Sequence, residues 1–163
     1  MSLTPVCPPL PEGYPLDGYR IDRMLSRGGF SIVYMAHSES GASVVVKEYL
    51  PMHLAQRMPD STILVVSAEN QGKFNNGMRS FIEEARLLAN IRHPNIVAVL
   101  DFTKANGTAY LVMRYEHGHS LEAYLGDLLE RGKTIRESFL RRSLFICSRV
   151  CEKYIVGSSC TST

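Results

Sequence analysis

The sequence predicts an α+β architecture: a five-stranded antiparallel sheet with one main helix, followed by the start of a helical region. Three observations carry that prediction. Short runs rich in β-branched and aromatic residues alternate with glycine turns between Tyr19 and Tyr49, a capped amphipathic stretch follows Ser80, and an Asn106-Gly107 dipeptide separates two further apolar runs.

Five of the 8 prolines (Pro5, Pro8, Pro9, Pro11 and Pro15) fall within residues 1–18, which reads as an extended, unpacked lead-in. From Tyr19, the runs 19–25, 30–36 and 43–49 form a three-stranded meander, broken at Gly28-Gly29 and Ser38-Glu-Ser-Gly41. Residues 51–79, with Pro59-Asp60 and two glycines, read as a loop-rich insertion with room for a small hairpin. Ser80-Phe-Ile-Glu83 has capping-box spacing, and Phe81, Ala85, Leu88 and Ile91 then share a helical stripe, predicting a helix from Phe81 to about Arg92. Pro94 ends it. Strands at Ile96–Leu100 and Thr108–Met113 meet at Asn106-Gly107, a strong hairpin signal. A helical stretch from Ser120 to Leu129 opens the region 119–142, and the end of the chain, residues 157–163, shows no periodicity.

Composition removes several classes of function. The chain has 163 residues, 45% hydrophobic and 21% charged, and a net charge of +2, which excludes wholesale disorder and gives no basic surface for nucleic acid. The longest apolar stretches, such as Thr62–Val66, fall far below the roughly 20 residues of a membrane span. Met1-Ser-Leu-Thr-Pro5 does not look like a secretory leader, so a cytoplasmic protein is expected. Cys7, Cys147, Cys151 and Cys160 contain no C-x-x-C pair, and His117 and His119 lack a second matching half, so reduced thiols and no metal site are expected.

The order of these parts carries a resemblance. Val44-Val-Val-Lys47, Phe81-Ile-Glu-Glu84, His93-Pro-Asn-Ile-Val97, and Leu111-Val-Met-Arg-Tyr115 followed by Gly118-His-Ser-Leu121 resemble, in sequence order and spacing, the small lobe of a protein kinase from about Tyr19 to Leu125. Lys47-Glu-Tyr-Leu-Pro51 and the long insertion look most like a bacterial serine/threonine kinase subgroup. The resemblance implies a small lobe over residues 19–118 and the start of the large lobe over 119–142.

A nucleoside triphosphate needs a cation at its phosphates, a backbone that approaches them closely, and an apolar slot for its base. Glu84, beside Leu87, Leu88 and Ile91, is expected at the edge of a buried stripe, where an unpaired carboxylate is costly. Lys47 relieves that cost, so the expected pair is Lys47–Glu84, supporting phosphate position; Glu83 serves the helix cap. The phosphate-covering turn reads Ser26-Arg-Gly-Gly-Phe-Ser-Ile-Val33 against the family's Gly-x-Gly-x-Phe-Gly-x-Val. Gly28 is kept, with Gly29 and Phe30 beside it, while Ser26 and Ser31 replace the outer glycines and predict looser closure, because serine resists positive φ. The resemblance further implies adenine between Leu25, Val33, Val45 and Met113, with the backbone from Arg114 through Tyr115 to Glu116 at its edge. ATP is the implied ligand and magnesium arrives with it; the protein substrate and regulatory partner are left open.

The family's proton-accepting and metal-holding aspartates have no counterpart here: after Tyr115 the sequence has only Asp127, and no His-x-Asp, Asp-Phe-Gly or Ala-Pro-Glu follows. No catalytic residue is therefore identified in this chain. The tail 143–163 is expected to be kinase coding sequence read in the wrong frame. Borrowing one base from the Val150 codon allows a reading that ends His-Leu-Asp and resembles the family's catalytic loop, which places a frameshift near Arg142 or Ser143. Two readings stand: a serine/threonine kinase by family, catalytically incomplete in this chain, or a kinase-like module that works by binding another protein.

Overall fold

The alternating runs become strands in a computed structural model that describes residues 7–134, 137–139 and 141. They are β1 (Pro15–Leu16), β2 (Tyr19–Arg27), β3 (Ser31–Ser38), β4 (Ser43–Tyr49), β5 (Ala55–Arg57), β6 (Ile63–Val65), β7 (Val99–Ala105) and β8 (Thr108–Arg114). The helices are α1 (Ala68–Ala89) and α2 (Leu121–Glu130). One antiparallel sheet runs β1-β2-β3-β4-β8-β7, and β5 pairs with β6 apart from it. Two compact units result, one holding residues up to Arg92 with Val97–Tyr115, the other His93–Ile96 with the chain from Glu116 onward. In the second, Ser120 caps α2 by accepting a hydrogen bond from the Ala123 N–H at 3.0 Å. The rest concerns the first unit.

All five expected strands are present, and β1 is a short sixth. The last pair turns at Asn106 (φ 53°) and Gly107 (φ 72°), the left-handed conformations a two-residue hairpin requires. Gly107 has a second constraint: a Cβ there would lie 3.1 Å from the Ile63 carbonyl oxygen. The strand expected at Ile96–Leu100 begins later, at Val99, because the Ile96 N–H closes a turn onto the His93 carbonyl.

The sheet has two unlike faces. Register sets Ile32 against Glu48, Tyr34 against Val46, Ala36 against Val44, and Glu48 against Tyr110, so these side chains share one face and all are buried. At its centre lies the fully buried carboxylate of Glu48. Arg57 Nη2 donates to Oε2 at 2.5 Å, Tyr34 Oη donates to Oε2 at 2.8 Å, and Tyr110 Oη donates to Oε1 at 2.8 Å. Asn106 Nδ2 donates to Tyr110 Oη at 2.9 Å, and Tyr14 Oη donates to Asn106 Oδ1 at 2.9 Å. A buried charge is tolerable only when paired and fully hydrogen-bonded, and this one is.

The same network overturns the expectation of an unpacked lead-in. Cys7, Leu10 and Leu16 are core residues. The Leu10 N–H donates to Tyr34 Oη at 3.1 Å, Arg57 Nε donates to the Pro8 carbonyl at 2.9 Å, and the Arg57 N–H donates to Cys7 Sγ at 3.0 Å. Prolines keep this segment extended, and partners from β3 and β5 satisfy the polar groups left to it. The insertion proves to be the small β5–β6 hairpin, which carries Arg57 into the core, followed directly by α1.

The helix is the larger correction. It begins at Ala68 after Ser67, so Ser80-x-x-Glu83 lies inside it instead of capping it. Its N-terminal half contains Gly72, Gly77 and Asn70, Asn75 and Asn76, poor helix formers all. Burial overrides propensity: Phe74, Phe81, Ile82 and Ala85 form one stripe against the sheet. Residues 1–6 and 142–163, including the tail expected to be read in the wrong frame and Cys147, Cys151 and Cys160, lie outside the described residues.

Replacing Arg57 with Ala leaves Glu48 buried without its counter-charge and is expected to cost about 3–5 kcal/mol of unfolding free energy in urea titrations, whereas Glu48→Met with Arg57→Met together restores most of it. Burial, and then the Glu48 charge, push the Tyr34 and Tyr110 hydroxyls well above the ordinary value of 10.0. Stability is therefore complete below that value and falls as pH rises past it, because the unfolded chain releases protons that the folded one holds. Alkaline unfolding and tyrosine ionisation followed together should coincide.

Candidate functional site

With Glu48 fixed on the buried face, strand alternation turns Lys47 to the other face of β4. There Val33 stands opposite Lys47, and Lys47 opposite Leu111; one row along, Met35 stands opposite Val45, and Val45 opposite Met113. The expected base slot of Val33, Val45 and Met113 thus shares a face with Lys47, and all four are partly buried. Leu25 sits at a bulge in β2, 37% exposed, beside Ser26, which pairs with Val33. Tyr115 lies just past the end of β8, partly buried.

Beside Lys47 a cleft of about 380 Å³ opens between the sheet and α1. Its walls include Phe30 and Ser31 from the turn, Lys47 and Tyr49 from β4, Pro51 and Leu54 after it, and Lys73, Gly77, Ser80, Phe81 and Glu84 from the helix. Phe30, Ser31, Lys47 and Glu84 are brought together as the sequence predicts, while Leu25, Val33, Val45 and Met113 lie outside this cleft. Lys47 and Glu84 do not form the expected ion pair here. The Lys47 ammonium instead rests 5.5 Å from the centroid of the Phe81 ring, which occupies the same helix face one turn before Glu84. Glu84 is solvent-exposed, and Leu87, expected to flank it in a buried stripe, is 69% exposed.

The turn also differs from expectation. Gly28 and Gly29 do not adopt positive φ, so its path makes no use of glycine's left-handed freedom. Closure comes from elsewhere. The Gly28 N–H donates to the Ser31 carbonyl at 2.8 Å, the Leu50 N–H to the Phe30 carbonyl at 2.9 Å, and the Met52 N–H to the Gly29 carbonyl at 3.2 Å. The exposed Phe30 ring packs edge-on against His53 at 5.3 Å. The segment after β4 therefore holds the turn in place.

Sequence reasoning missed the helix wall of the cleft. Lys73, Gly77, Ser80, Phe81 and Glu84 recur at helical spacing on one face, a pattern visible only once the helix is known to begin before Ser80. Gly77 explains how closely the helix approaches: a Cβ there would come within 2.2 Å of Tyr49 Oη. Tyr49 is buried between Phe74 and Phe81 at ring distances of 5.3 and 5.7 Å, its hydroxyl donates to the Phe74 carbonyl at 3.3 Å, and burial raises its pKa. Among the described residues, no group of three or more His, Cys, Asp and Glu side chains could hold a metal ion, and no helix is long and apolar enough to cross a membrane.

Comparisons with known proteins bear on the family and the fold. Residues 19–152 match the family described as "Protein tyrosine and serine/threonine kinase". The chain is similar to the serine/threonine-protein kinase PknJ of Mycobacterium tuberculosis, 30% identical over 113 residues, which are 69% of this chain and 16% of that one. It is also similar to the serine/threonine-protein kinase Pkn1 of Myxococcus xanthus, 28% identical over 154 residues, 91% of this chain and 18% of that one. The solved structure "PpkA-294 apo form" superposes with a TM-score of 0.75 at 36% identity, covering 82% of this chain and 47% of that one. The chain thus spans less than a fifth of these two curated relatives.

Adding a methyl group at Gly77 is expected to displace the Tyr49 ring, and Gly77→Ala should lower unfolding free energy by about 1–3 kcal/mol. Combining it with Tyr49→Phe, which removes the nearest atom, should recover part of that loss in thermal denaturation.

Proposed function

Since the chain belongs to the protein kinase family, we propose that its first unit is the nucleotide-binding half of a serine/threonine kinase, taking ATP with its magnesium for phosphoryl transfer to protein serine or threonine. The reading is carried by one observation: Lys47 stands at the junction between the apolar strip of Val33, Val45 and Met113 and the cleft against α1, on the same face of the sheet. Val33, Val45 and Met113 supply a floor for a flat base. Lys47 supplies a cation where the phosphates follow, and the turn at Gly28–Ser31 supplies a rim. The cleft volume lies within the range of small-molecule sites.

In this reading Glu84, on the wall opposite Lys47, draws the ammonium off the Phe81 ring when a nucleotide orders the cleft. The chemistry ATP brings is a phosphoryl group ready for transfer. This chain's residues hold and orient it, and a general base is not among those matched to the family's motifs. The complete reaction belongs to the fold that these residues begin.

Lys47→Met removes the cation while keeping the stem's packing and is expected to abolish nucleotide binding. Fluorescent ATP-analogue titration of the full chain checks it, and equal affinity in the variant rules out this site.

A further inference from the structure

Position along β4 orders the face that carries Lys47. Val45 lies toward Met113, Lys47 comes next, and Tyr49 comes last, inside the cleft. The cleft therefore extends beyond Lys47, away from the apolar strip. Its far wall bears a second cation, Lys73, in the part of α1 that precedes Ser80. Two lysines and one carboxylate line this space. Among the described residues, neither Lys47 nor Lys73 forms an ion pair with Glu84 or any other acid. The cleft is net positive even with Glu84 ionised, and two hydroxyl residues, Ser31 and Ser80, also line it. An apolar wall of Tyr49, Pro51, Leu54 and Phe81 completes it and excludes water from one side, which strengthens any charge interaction made there.

We propose that Lys73 is a second phosphate-binding residue of the nucleotide site, holding the terminal phosphate of ATP while Lys47 holds those nearer the base. This rests on the nucleotide-binding reading above. It gives the altered turn a counterpart: with Ser26 and Ser31 in place of glycines, backbone approach from the turn is supplemented by a side chain from the helix. Gly77 makes this possible, because its missing side chain lets the Lys73 end of the helix close against Tyr49. The site then distinguishes nucleotides by phosphate number. The terminal phosphate meets Lys73, and a monophosphate ends before reaching it.

The test is calorimetric titration of the full chain with MgATP and with AMP, for the unaltered protein, Lys73→Gln and Lys73→Arg. Lys73→Gln is expected to weaken MgATP binding about tenfold and AMP binding less than about twofold, with Lys73→Arg close to the unaltered protein. Raising the salt concentration should narrow the gap between the unaltered protein and Lys73→Gln, since Lys73 is exposed. Unchanged MgATP affinity in Lys73→Gln, or an equal loss for MgATP and AMP, overturns the assignment of Lys73 and leaves the nucleotide site standing. If the unaltered protein binds neither nucleotide, the nucleotide-binding reading falls and this assignment falls with it.

Discussion

The carboxylate of Glu48 is bonded by a guanidinium and two phenols in a place that water does not reach, and it organises the first unit. Burial works against the Arg57 charge, yet Glu48 outweighs it and holds the guanidinium above its ordinary pKa. Each partner arrives on a different element: Tyr34 on β3, Tyr110 on β8, Arg57 on β5. Through Arg57 and Tyr34 the lead-in from Cys7 to Leu10 is drawn onto the sheet as well. The register of β4 is fixed in consequence. A slip of one residue would bury the ammonium of Lys47 among groups arranged for a carboxylate and turn Glu48 into the cleft. The cation of the candidate site is therefore positioned by the acid next to it in sequence.

On the other face the constraint is steric. Tyr49 lies against the backbone of α1 at Gly77, with Phe74 and Phe81 on either side of its ring. A helix with so many glycines and asparagines in its first half gains little from its own hydrogen bonds. Its docking through these aromatic contacts keeps it helical, and the docking brings its polar stripe to the cleft.

Much of the sheet was legible because period-2 alternation and the Asn106-Gly107 turn are local signals. Both survive without knowledge of the rest of the chain. The helix start was not legible, because what stabilises residues 68–79 is contact with Tyr49 and the core, distant in sequence, while the Ser80-x-x-Glu83 spacing offered a plausible local alternative. In the site, the motif around Lys47 was readable and its neighbour was overlooked. Val44, Val46 and Glu48 alternate, so a carboxylate on an apolar face already called for a buried cation. Arg57 is the only Arg or Lys between Pro51 and Val66, and that would have singled it out. The pairing of Lys47 with Glu84 was reasoned from a stripe that includes Leu87, which faces solvent, and so the cost of leaving Glu84 unpaired was overstated.

The strand order has a consequence for self-association. A sheet invites another strand only at its edges, and here one edge, β1, is two residues long and tied to the lead-in. The opposite edge, β7, is the long one, with Leu100 and Phe102 exposed along it. Asp101 and Lys104 stand on that same strand, so a second copy pairing there would have to strip water from two charges. Edge-to-edge growth along this longer margin thus meets a deterrent that the strand itself carries.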